Sequence, residues 1–348
     1  MQKQDAMEYT MEYDWGIICL LIFSFTRLNG GNNLCIYEIV LLYKILILKT
    51  IIAASSTSES SRIVGGHESK PYNHPYLVTL QLRFLWMRMH VCGGSIINEK
   101  WILTAAHCVQ DSWLLRWLPM DAVAGVHNIN TFGKEAQINT INERIPHPLY
   151  EGGIGAYDIA LLGLRTPFVF TDQVQPINLP YTSKISNESL LLVGWGALRT
   201  TSFIPDLPNE LQEVKVTYIP YQQCYDAIEE IKEPSEYNPL DKEAHLCTGP
   251  LTGGIAACSG DSGGPLVQMT SIEALNNRNE KDNDYDEYYN DKRLIRSEKL
   301  VPNVNRDQVP FIIGIVSWGM APCGTKGAPT VYTNVSQYMD FINAHIKT

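Results

Sequence analysis

Positive charge is scarce in this chain. Its 348 residues carry 27 Lys and Arg against 37 Asp and Glu, a formal net charge of −10. Phosphate recognition needs clustered cations, so nucleic acid is excluded as a partner. Close cysteine pairs are also missing. The eight cysteines are Cys19, Cys35, Cys92, Cys108, Cys224, Cys247, Cys258 and Cys323. None forms the C-x-x-C spacing that zinc sites favour, and no metal site is expected. Helical periodicity is scarce, and no long apolar run is free of charge. What the chain does have is a 45% hydrophobic content. That is enough for a packed core and argues against wholesale disorder. Widely spaced cysteines in even number suggest disulfides and an oxidising compartment.

Two apolar stretches precede residue 63. Residues 15–25 are short for a membrane span and follow the acidic Asp5, Glu8, Glu12 and Asp14. Residues 36–54 contain Glu38, Lys44 and Lys49, charges that make a stable span costly. From Lys44 onward, a lysine precedes ILILKTIIAA and small residues follow at 53–56, which is a signal-peptide pattern. Residues 1–54 are therefore read as a signal peptide or signal anchor, with a mis-extended start before about residue 40. The protein is expected to be secreted and extracellular. Residues 55–62, SSTSESSR, form a polar, protease-accessible linker read as an activation propeptide. It ends in Arg62, and Ile63-Val64-Gly65-Gly66 follows, so cleavage after Arg62 would free an apolar amino terminus at Ile63.

Short β-rich runs recur after residue 62, at 76–82, 94–97, 101–104, 159–164, 190–193, 212–218, 265–267, 311–317 and 330–333. Turn residues punctuate them, which implies an all-β fold, a sandwich or barrel. Val335, Tyr338, Met339, Ile342 and Ile346 share a helical face at the C-terminus. Residues 271–309 break the β pattern. Their centre, EKDNDYDEYYND at 280–291, holds six acids and one lysine. Asp282, Asp284 and Asp286 match half an EF-hand loop, but Glu287 replaces its glycine and Arg293 its bidentate glutamate. A solvated loop insertion is the better reading. Without it, two barrels of roughly 120 residues each remain, within ordinary domain size.

Three motifs converge on one chemistry: WILTAAHC ending at His107-Cys108, DIALL beginning at Asp158, and GDSGGP around Ser262. A serine hydroxyl is a weak nucleophile and needs an adjacent base. His107 can supply it, because an imidazole titrates near neutrality. Asp158 can set the imidazole tautomer and stabilise the imidazolium. Glycines around Ser262 permit a tight turn and let the N–H groups of Gly260 and Ser262 face an oxyanion. Each motif alone has a structural explanation; the three in the order His, Asp, Ser assign all three roles at once.

These motifs, with IVGG at 63–66, CGGSI at 92–96, GWG at 194–196 and SWG at 317–319, resemble the trypsin/chymotrypsin-like serine proteases. The resemblance covers residues 63–348, the protease domain, apart from the insertion. It implies two six-stranded antiparallel β-barrels, a C-terminal helix and an active site in the cleft between the barrels. It implies the pairs Cys92–Cys108, Cys224–Cys247 and Cys258–Cys323, leaving Cys19 and Cys35 to be lost with the leader. It also implies a zymogen in which the new terminus at Ile63 pairs with Asp261, and an activating protease that cuts after basic residues. Peptide or protein substrates and protein inhibitors are the implied partners, and no cofactor is needed.

In trypsin-like members an aspartate lies six residues before the nucleophile. Ala256 stands there, and Gly319 and Thr330 would form the pocket walls. That floor favours medium-sized apolar side chains, a chymotrypsin- to elastase-like preference. Backbone groups of Ser317, Trp318 and Gly319 would bind substrate as an added strand. The segment 126–137 has one acid, Glu135, so calcium is not expected there. Trp113 and Trp117 are candidates for the cleft rim, although aromatics more often simply pack. Histidines 67, 74, 90, 127, 147, 245 and 345 lack paired ligand spacing and are read as structural. Asn187 and Asn334 begin glycosylation sequons. The alternative to a secreted endopeptidase is a non-catalytic protease homologue that binds partners through the same scaffold.

Overall fold

A computed structural model of the chain describes residues 64–84, 87–111, 116, 118–180, 182, 185, 190–197, 207–273 and 308–346. All lie within one compact unit, Ser61–Thr348. Two six-stranded antiparallel barrels make up its body. In the first, β2 (Leu77–Phe84), β3 (Met87–Ile96), β4 (Trp101–Thr104), β5 (Met120–Ala124), β6 (Gln137–Pro146) and β7 (Ala160–Leu164) close in the order β2-β3-β4-β7-β6-β5. In the second, β8 (Leu190–Gly194), β9 (Gln212–Ile219), β10 (His245–Gly249), β11 (Pro265–Ser271), β12 (Gln308–Gly319) and β13 (Thr330–Asn334) run β9-β10-β13-β12-β11-β8. The pairing of β8 with β9 closes it, and the short β1 (His67–Glu68) adds to the outside of β9.

Apolar strands account for both cores. Every residue of β4 and β7 is buried, and Trp101 lies opposite Gly163, where a side chain would meet the indole. Leu80, Ile96, Ile102, Leu103, Met120, Leu161 and Leu162 fill the first barrel. Leu190, Leu192, Val214, Val216, Leu246, Leu266 and Tyr332 fill the second. Burying each large aliphatic side chain stabilises by about 1.5–3 kcal/mol. Three disulfides, Cys92–Cys108, Cys224–Cys247 and Cys258–Cys323, span 16, 23 and 65 residues. They are the pairs the resemblance implied, each worth roughly 2–4 kcal/mol through loss of chain entropy in the unfolded state.

The structure adds elements the pattern missed. In β6 the apolar Ile138, Ile141 and Ile145 are spaced three and four apart, as on a helix; a bulge between Ile141 and Glu143 breaks the alternation. In β5 the buried Asp121 interrupts the apolar run, and Arg88 neutralises it at 2.7 Å. Helix α1 (His107–Gln110) is one turn. Helix α2 (Tyr221–Ile231) buries Cys224, Ala227 and Ile228 but has no side-chain cap, so its start carried no signal. The C-terminal helical segment opens as a 3₁₀ turn at Val335–Tyr338 and continues as α3 (Met339–Ile346). Ser271 pairs with Gln308 and Thr270 with Val309, so both ends assigned to the insertion belong to strands β11 and β12. Its acidic centre, the leader, Arg62, Ile63, Trp113, Trp117 and Asn187 lie outside the described residues. Among the described residues, no helix is long and apolar enough to cross a membrane.

Candidate active site

Three loops bring the motif residues together. His107 opens α1 directly after β4, and Asp158 precedes β7, the strand paired with β4. Sequence neighbours of a strand pair thus become spatial neighbours. Asp158 is buried at 1% exposure. Its Oδ2 accepts the His107 Nδ1–H at 2.8 Å and the Ser317 hydroxyl at 2.5 Å. Its Oδ1 accepts the His107 backbone N–H at 2.9 Å. Thr333 donates its hydroxyl to the Asp158 carbonyl at 2.7 Å. The Nδ1 proton leaves Nε2 as the free basic nitrogen. Burial alone would lower the His107 pKa. The Asp158 hydrogen bond and charge, with the charge of Asp111, outweigh it and hold the value above the ordinary one.

Ser262 lies on the turn entering β11, half-buried, with its carbonyl accepting the Gly93 N–H at 2.8 Å. The next residue, Gly263 (φ +75°), donates to the Val316 carbonyl at 2.9 Å. A side chain on Gly263 would collide with Thr104 Oγ1 and meet Cys108 Sγ at 3.1 Å. Cys108 Sγ is in turn 3.6 Å from His107 Nε2. The serine turn is therefore pressed against the disulfide that carries the histidine.

A trypsin-family model matches residues 63–288 and 302–342. This chain belongs to the trypsin family. It is 31% identical to lectizyme of Glossina austeni over 298 residues, 83% of this chain and 88% of that protein. It is 29% identical to glandular kallikrein of Sus scrofa over 294 residues, 81% of this chain and 95% of that one. Granzyme-like protein 1 of Rattus norvegicus is 34% identical over 225 residues, 64% and 84% of the two chains. The interruption in the family match, 289–301, falls within the acidic insertion.

Other features of this trypsin-family member follow from the same turn. Gly260 (φ +100°) takes a backbone conformation that favours glycine. Its carbonyl accepts the His90 Nε2–H at 2.9 Å, while His90 Nδ1 accepts the Thr79 hydroxyl at 2.8 Å. Burial pushes His90 down to about 4, against the opposing Gly260 bond, so it stays neutral. Motif reading left His90 as structural; its part in shaping the turn appears only in three dimensions. Asp261 is buried, with Oδ1 accepting the Gly196 N–H at 2.7 Å and Oδ2 the Cys258 N–H at 3.0 Å. A side chain on Gly196 would collide with that carboxylate. Burial raises Asp261 to about 6, although both backbone bonds oppose the shift.

Ala256 and Thr330 are both buried, at 7% and 4% exposure. Thr330 Oγ1 accepts the Ala257 N–H at 3.2 Å, joining one wall of the expected pocket to the segment that would form its floor. Trp318 and Gly319 end β12 beside Val331 and Thr330. Asn334 ends β13, its amide N–H donating to the Glu243 carbonyl and its oxygen accepting from Ser336. Among the described residues, Cys92, His107 and Cys108 form the grouping compact enough for a metal, but the two sulfurs are bonded to each other.

Proposed function

We propose that this chain is a secreted serine endopeptidase, made as a zymogen and activated by cleavage after Arg62. The observation that carries the reading is the His107–Asp158 pair, made by both imidazole and backbone, beside the Ser262 turn. Ser262 attacks the substrate carbonyl while His107 Nε2 takes its proton. Asp158 holds the tautomer and stabilises the imidazolium. The N–H groups of Gly260 and Ser262 receive the oxyanion. His107 then protonates the leaving amine, and water repeats the sequence to release the acid. Segment Ser317–Gly319 takes the substrate as an added strand. An alanine floor with a hydrogen-bonded threonine offers a basic side chain no counter-charge, which supports cleavage after apolar residues.

A fluorophosphonate probe applied before and after cleavage at Arg62 tests the reading. Labelling of Ser262 is expected after cleavage and not in Ser262→Ala. A folded, cleaved chain that takes no label would leave a binding homologue. A chromogenic peptide panel tests the pocket: Leu, Met or Phe before the cut should be preferred, and preference for Arg would overturn the apolar assignment.

A further inference from the structure

We propose that His245 is a positioning residue, resting on the protease reading, that pins the glycine loop 152–155 against the strand carrying the substrate. His245 opens β10, is 5% exposed, and has no place in the chemistry above. Its Nδ1 accepts the Asp241 N–H at 2.9 Å, so the ring proton sits on Nε2. That N–H donates to the Gly155 carbonyl at 3.1 Å. The ring stands edge-on to the Trp318 indole, 6.1 Å between centroids at 88°. One imidazole therefore touches both the strand proposed to bind substrate and a loop of the first barrel.

The loop gives a reason for the pin. Gly152 and Gly153 have φ of +96° and +70°, and a side chain at 153 or 155 would meet nothing within 4 Å. A glycine run without packing loses much conformational freedom when ordered. Asp111 holds one end, accepting the Gly153 N–H at 3.2 Å and the Tyr150 hydroxyl at about 3 Å. His245 holds the other, three residues before Asp158. On β13, the register partner of His245 is Thr333, which donates to the Asp158 carbonyl. Burial keeps the imidazole below its ordinary pKa despite the Gly155 bond and the charges of Asp241 and Asp158, so the neutral donor persists. A substrate laid along Ser317–Gly319 as proposed above would pass Trp318, whose indole His245 ties to this loop. Short substrates do not reach it.

The test compares the cleaved wild type with His245→Leu and His245→Gln on two substrates sharing one cut residue. One is a single-residue ester and the other a tetrapeptide anilide. Loss of one hydrogen bond predicts roughly a tenfold fall in tetrapeptide kcat/KM for His245→Leu, mostly in KM. Ester turnover should stay within about twofold, the loss being confined to binding away from the reacting atoms. Glutamine, which can donate to Gly155, should recover most of the tetrapeptide activity, and amide exchange at 152–155 should quicken only in the leucine variant. Equal losses on both substrates, or unchanged tetrapeptide kinetics, would overturn the proposal. If His245→Leu does not fold, His245→Phe carries the same comparison. A wild type that gives no acyl-enzyme burst on the ester would instead sink the protease reading, and unchanged amide exchange would then sink the pin as well.

Discussion

Asp158 gathers the most at a single residue. It accepts the His107 imidazole N–H, the His107 backbone N–H and the Ser317 hydroxyl while itself buried. Asp158→Asn would present an N–H₂ or a neutral oxygen where a carboxylate is needed, favouring the wrong tautomer. A fall in kcat of about 10⁴ is expected, with the fold intact. The same change removes the Asp158 hydrogen bond and charge that do most to raise His107, leaving only the charge of Asp111. In the wild type, kcat/KM should fall as pH drops through a value above 6.5, because only neutral His107 can take the proton. In Asp158→Asn the residual activity should lose that raised acid limb, and a pH–rate profile checks it. Sequence motifs named His107 and Asp158, which the structure pairs. They did not reveal that Ser317, chosen for its backbone, would add its hydroxyl to Asp158. That contact joins residues 159 positions apart and needs the two barrels in place.

The short strand β1 shows what an element owes to side chains. Two residues of ladder hold little, yet Glu213 on β9 accepts from His74 and Ser69, both at 2.6 Å, and lies 3.4 Å from His67. The His74 hydrogen bond, with Ser69 and the two histidine charges, outweighs burial and pulls Glu213 down to about 2. A depressed carboxylate contributes stability above its unfolded value and loses it as pH falls through the folded one. Glu213→Gln should therefore lower Tm most at pH 5–7, and the gap to wild type should close toward pH 2. A constant gap would contradict it. Strand β1 begins five residues after Arg62, the proposed cleavage site. Elements with plain alternation or fully apolar runs, such as β4, β7 and β9, were legible. Strand β6 was not, because its bulge spaces isoleucines like a helix. Nor was β10, whose five residues are all buried and begin with a histidine.

For the whole molecule, Asp261 would link the proposed cleavage after Arg62 to the fold. Among the described residues its partners are two backbone N–H groups, and burial raises it to about 6. A raised carboxylate favours the folded state below its unfolded value, near 3.8, and that advantage is lost as pH rises through about 6. An amino terminus freed at Ile63 would bring the opposite charge to an ionised, buried group. Cleavage after Arg62 should thus raise Tm more at pH 7 than at pH 5, while Arg62→Gln treated alike should show no gain. Calorimetry of both chains decides it, and an equal gain at the two pH values would break the link to Asp261. By itself, the sequence determined the family, the barrel strands with clean patterns and the uncharged Ala256 six residues before Ser262. Those are carried by short contiguous motifs and local periodicity, which need no distant partner. Only the tertiary structure decided which groups surround the motifs: Ser317 and Thr333 on Asp158, His90 on the Gly260 turn and His245 between Gly155 and Trp318. Each joins residues far apart in the chain, and hydrogen bonds between distant segments leave no pattern in the order of amino acids.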